Sequence, residues 1–213
     1  MAYDEVLASV EQRLTGTFGE PDARASVTFV GADRIEVLRF PSATAEGEPL
    51  LRYATLGMSG QPMTDPAQAL ADPLRGPRAE LLLTVRAGRA DTGRVLRPLA
   101  VLAASPQVEG VVVAPDASLE VAEPLWPGAP FRAVLVAEPG GLVDDVVLPE
   151  LPHSAPRVGG TPTEPVRFLP LLPMTPNEAA WKRVHGAAAL RERWLAAGTD
   201  LRDPQRRGVD LGA

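Results

Sequence analysis

The chain has 213 residues, enough for one generous domain and few for two. It holds no cysteine, which excludes disulfides and thiolate metal sites. Its 27 acidic residues outnumber its 21 basic ones, and the net charge of −6 has the wrong sign for a nucleic-acid partner.

Asp4, Glu5 and Glu11 lie where a secretory leader would carry positive charge and an apolar run. No stretch reaches the roughly 18 apolar residues of a membrane span. The expected setting is therefore the cytoplasm, with no membrane partner. Lys182 is the only lysine, and the surplus of arginine over lysine, with much Ala, Gly and Pro, reads as codon bias.

Tyr3, Leu7, Val10 and Leu14 form one apolar stripe, predicting a first helix that Gly16 and the Gly19-Glu20-Pro21 corner end. Residues 25–30 and 34–40 read as strands joined at Gly31-Ala32-Asp33, and 50–56 as a third. Residues 57–76 are rich in Gly, Pro, Ser, Thr and Asp and read as an irregular loop. Residues 80–85 have the length and composition of a buried strand. A helix is expected over 91–104, with Pro98 in its first turn. Residues 111–113 and 131–137 read as strands, with Trp126-Pro127-Gly128 between them.

Residues 149–176 carry eight prolines, yet 166–172 is too apolar to be solvated. It is expected to be an edge strand, because Pro170 cannot donate to a ladder. Thr175, Pro176 and Glu178 then spell a capping box with proline at the first helical position. Trp181, Val184, Ala187, Ala188 and Trp194 are expected to form the apolar face of this last helix. Glu178 and Lys182 are expected to pair across one turn, and Gly198 closes the helix. The fold class is α+β, with one domain over 1–198 and a polar, loose tail over 199–213.

Reactive chemistry is sparse. His153 and His185 lack metal-ligand spacing and read as surface or packing residues. Gly57-Met58-Ser59-Gly60-Gln61 approaches the nucleophile elbow but has glycine in the wrong place. It reads as a turn in which Gly57 or Gly60 takes φ > 0 and Ser59 makes a local hydrogen bond. Asp144 and Asp145 are adjacent, so on a strand they point to opposite faces and do not share a metal or proton. They are read as solvated charges and, with Trp126, as candidate partner contacts. Trp126 reads equally as a hot-spot anchor or as core. No cofactor and no metal is expected.

Three segments in order resemble the suppressor-of-fused domain family. Thr55, Gly57, Met58 and Ser59, followed by Pro62-Met63, are similar to its Thr-x-Gly-Met-Ser…Pro-Met stretch. Arg78, Glu80, Leu81 and Leu82 resemble its Arg-x-Glu-Leu-Leu strand. Phe168 through Thr175 and Glu178 resemble its entry into a final helix. The middle third departs: Trp126-Pro127 comes later than the family's Trp-Pro pair, and no Gly-His occurs. The resemblance implies a mixed sheet with helices packed on it, and structural roles for Gly57, Met58, Ser59, Met63, Glu80, Thr175 and Glu178. It also implies a protein partner: a transcription factor in animal relatives, and in bacterial relatives a toxin that an immunity protein neutralises. The acidic balance suits a basic toxin. An enzyme using Asp and Glu in a cleft, and a scaffold subunit, stand as alternatives.

Overall fold

The computed structural model describes residues 3–64, 76–148 and 164–212. His153 and four of the eight prolines lie outside the described residues. Helix α1 (Tyr3–Phe18) buries Val6, Val10 and Leu14, four residues apart on one face. It runs past Gly16 and stops at Gly19, whose φ of 84° and N–H bond to the Thr15 carbonyl (2.8 Å) end the helix in a left-handed turn.

Strands β1 (Ala23–Val27), β2 (Ile35–Ala43), β3 (Pro49–Leu56) and β4 (Arg78–Arg86) pair antiparallel in succession. After β4 come α2 (Leu96–Glu109), β5 (Ser118–Glu120), β6 (Ala133–Val136), β7 (Val166–Met174) and α3 (Pro176–Ala196). Strand β7 returns parallel to β4 and antiparallel to β6, giving a mixed sheet in the order β1-β2-β3-β4-β7-β6-β5. Among the described residues, three α-helices on one seven-stranded sheet make the single-domain α+β fold.

Period-two alternation divides the core. Ile35, Val37, Tyr53, Leu81 and Leu83 face α2, whose Leu99, Ala103 and Ala104 cover them. Leu38, Phe40, Ala54, Leu82 and Phe168 face the other way, against α1. Along the same face, Ala133, Leu135 and Met174 meet Ala179, Leu190 and Trp194 of α3. Pro98 does lie in the first turn of α2, and the helix continues five residues past the expected end, through Pro106.

Four expectations are corrected. Strand β7 is central, not an edge. Its first half pairs with β4 and its second half with β6, and the β4 ladder ends at Pro170, so the missing donor falls where the pairing changes sides. Residues 111–113 form no strand, because the Val113 N–H is spent on the Met63 sulfur at 3.3 Å. Glu178 does not pair with Lys182; Lys182 bonds the Asp116 carbonyl instead. The tail is fixed. Leu201, Val209 and Leu211 pack against the α3 core, and the Arg86 N–H bonds the Arg202 carbonyl at 2.8 Å.

The face of α3 also differs from the expected one. Gly186 has φ 87° and ψ 165°, which interrupts the helical repeat. A single 3.6-residue period drawn across it misassigns Val184, which is 78% exposed, and Ala188, which is exposed too. The buried set is Glu178, Ala179, Ala187, Leu190 and Trp194. Trp181 is half-buried and stacks on His185 at 4.1 Å.

The rotated face gives a direct test. Trp194→Ala is expected to cost roughly 3–5 kcal/mol in denaturant melts. Val184→Ala should stay within about 0.5 kcal/mol of the parent protein. Comparable losses at both positions would contradict the break at Gly186.

Candidate functional site

The resemblance singles out two carboxylates, and the fold buries both without exposure. Glu80 projects from β4 toward α1, beneath a 3₁₀ turn at Met58–Gly60. One oxygen accepts from the Gly57 N–H (2.9 Å), the Ser59 N–H (3.0 Å) and the Ser59 hydroxyl (2.6 Å). The other accepts from the Thr55 hydroxyl (2.6 Å), which itself accepts from the Leu81 N–H. Burial pushes this carboxyl's pKa upward, and the Ser59 and Thr55 hydroxyls and two N–H groups pull against that shift.

The turn is shaped for this contact. Gly57 has φ 132°, and a Cβ there would come within 2.6 Å of the Arg34 carbonyl. Gly60 keeps φ outside the left-handed region, but a Cβ there would collide with the Tyr3 ring. Arg78 donates to the Ser59 and Gly60 carbonyls at 2.7 and 2.8 Å. Ser59 therefore makes no local turn bond of the expected kind; its hydroxyl reaches Glu80, 21 residues away. Met58 and Met63 are core residues beside it.

Glu178 is the second node. Thr175 caps α3, and the Glu178 carboxylate closes the box by accepting the Thr175 N–H at 2.8 Å. It also accepts from Trp194 Nε1 (2.9 Å), the Val209 N–H (3.2 Å) and both terminal nitrogens of Arg206 (2.8 and 3.0 Å). The Arg206 guanidinium lies over the rings of Phe131 and Trp194. Burial raises the Glu178 pKa, but the Arg206 bonds, the Thr175 N–H and Trp194 outweigh it and hold the group below the usual carboxylate range.

Of the candidate partner contacts, Asp144 and Asp145 are exposed and Trp126 is not. Asp144 forms a 3.4 Å ion pair with Arg13. Trp126 is 2% exposed, donates to the Pro204 carbonyl at 3.2 Å and meets Phe131 edge-on at 5.6 Å. A ring held this way cannot project into a partner as an anchor. It instead helps line an open groove of about 580 Å³. Strand β1 contributes Ala25 and Val27 to this groove, the 3₁₀ turn Thr92–Val95 contributes Arg94, the start of α2 contributes Leu96 and Arg97, and Leu125 sits beside Trp126. Sequence reasoning passed over Arg94 and Arg97 because they sit in no motif. Among the described residues, no group of three or more His, Asp or Glu side chains is placed to hold a metal.

The motif residues of this acidic, mixed-sheet α+β domain are thus spent on its own turns and helix ends. The suppressor-of-fused family model matches residues 31–207, and the chain belongs to that family. Among solved structures, it resembles a suppressor-of-fused homologue from Neisseria gonorrhoeae FA 1090 with TM-score 0.65 and 18% identity, over 98% of this chain and 99% of the other. It resembles Sufu in the Sufu–Fu complex with TM-score 0.62 and 12% identity, over 95% and 91% of the two chains. Drosophila Suppressor of Fused matches with TM-score 0.57 and 13% identity; 96% of this chain covers 50% of that one. No curated protein sequence matches the chain.

Two measurements test the nodes. Glu80→Gln puts an amide donor among groups that all donate, and is expected to cost at least about 2 kcal/mol. A variant as stable as the parent would remove the node from the account. Glu178 has a folded pKa below its unfolded value, so its contribution is complete above about pH 4.3 and is lost as pH falls through the folded value. The stability gap between the parent and Glu178→Gln should therefore be widest near neutrality and narrow in acid. A gap independent of pH would contradict the charged pair.

Proposed function

We propose that the chain is a protein-binding module that works without catalysis. The observation that carries the reading is the fold shared, over nearly the whole chain, with a Sufu chain solved in complex with Fu. Two features support it. Ser59, the residue nearest to a nucleophile motif, is fully buried and donates its hydroxyl to Glu80. Glu80 and Glu178, which a carboxylate enzyme would need free, are each committed to several internal donors.

The narrower reading is an immunity-type antagonist of a basic toxin in the cytoplasm. It draws on the net charge of −6, which steers a basic partner from a distance. Affinity capture with the full chain, followed by binding kinetics across a salt series, tests both levels. A specific partner is expected whose association rate falls as salt rises, while dissociation changes less. A partner whose association ignores salt would remove the basic toxin but keep protein binding. Labelling of Ser59 by a fluorophosphonate probe would replace the reading with an enzyme.

A further inference from the structure

The groove between β1 and α2 combines three features. The first is an open sheet edge. Strand β1 ends the strand order and pairs only with β2, so among the described residues its outer backbone groups have no ladder partner. The second is apolar lining: Ala25, Val27, Leu96, Leu125 and Trp126. The third is charge. Arg94 and Arg97 are exposed on the lip, and neither side chain has a hydrogen bond, ion pair or ring contact among the described residues.

Among the described residues, Arg207 is the one other arginine side chain without such a partner. Arg24, Arg34, Arg39, Arg86, Arg167, Arg183 and Arg191 each meet a carboxylate. In a chain with an acidic surplus, Arg94 in the 3₁₀ turn and Arg97 at the start of α2, both lining this groove, remain unmatched among the described residues. Glu123 is the one acidic side chain among the groove's lining residues. Guanidinium groups bind carboxylates in a two-pronged geometry that lysine cannot reproduce.

We propose that this groove docks an extended segment of the protein partner, one with an apolar centre flanked by carboxylates. The segment lies along the β1 edge, seats its apolar side chains against the part-exposed Ala25, Val27 and Leu96, and presents carboxylates to Arg94 and Arg97. Trp126 and Leu125 back the groove from the core and do not project into the partner. The inference rests on the protein-binding reading and locates it. It holds whatever the partner's overall charge, because the rim reverses the sign of the molecule only locally.

The test uses the full chain and a fluorescent extended peptide of about eight residues, with a valine centre flanked by aspartates. The counter-probe has lysines in place of the aspartates. Saturable binding of the aspartate peptide is expected, at least about tenfold tighter than the lysine peptide. The Arg94→Glu/Arg97→Glu double variant should lose at least about tenfold in affinity for the aspartate peptide. Both substituted side chains are exposed, and an unchanged thermal melt shows that the fold is kept. Equal binding of both peptides, no saturable binding, or binding indifferent to the double variant would overturn the proposal. So would sedimentation showing that a second copy of the chain fills the groove. Capture with parent and double variant separates the two levels. A partner retained equally by both sinks the groove and leaves protein binding standing, whereas peptide binding with no captured partner sinks the functional reading alone.

Discussion

The buried pair of Glu178 and Arg206 sets the terms for the C-terminal half of the molecule. Removing a carboxylate and a guanidinium from water costs several kcal/mol for each ion, and only close pairing with further hydrogen bonds offsets it. The structure supplies those bonds from separate places: the cap of α3, Trp194 sixteen residues along, the Val209 backbone and the Pro173 carbonyl. Each of these partners must be brought to one point, so the entry of α3, its second half and the tail are placed together. Arg206 also spans two parts of the core, lying over Phe131 on one side and Trp194 on the other. The tail is thereby part of the domain's packing, and the Trp126 bond to Pro204 ties it to the wall of the groove.

Glu80 applies the same rule on the central strand of the sheet, with neutral donors in place of a cation. Its four bonds fix the turn after β3 to the start of β4, and the glycines on either side of Met58-Ser59 allow the close approach. The consequence for function is a division of labour. Groups that look reactive in the sequence are consumed in the interior. The free chemistry lies at the surface, in exposed carboxylates such as Asp145 and in the unpaired arginines beside β1.

Much of the architecture was legible where a local signal coincided with a tertiary role. Thr175, Pro176 and Glu178 announced the start of α3 because the cap is built from neighbours in sequence. Gly57 was marked by its spacing, and its positive φ follows. Long-range partners were not legible. Nothing local says that Glu178 faces Arg206 instead of Lys182, or that Ser59 reaches Glu80, because both contacts depend on how the sheet closes. Val184 was misplaced because one glycine resets the helical phase, and Pro170 because a strand that changes partners tolerates a missing donor at the junction. The groove escaped notice for a similar reason: β1, α2 and the loop around Trp126 are separated by about a hundred residues in sequence.

Hydrogen exchange on the chain, free and saturated with its captured partner, tests most directly the claim that this domain acts by binding a protein along β1. The account predicts slowed exchange at Ala23–Val27 and at the start of α2, with the amides around Glu80 and Glu178 already protected in the free chain. Slowed exchange confined to other surfaces, with β1 unchanged, would contradict it.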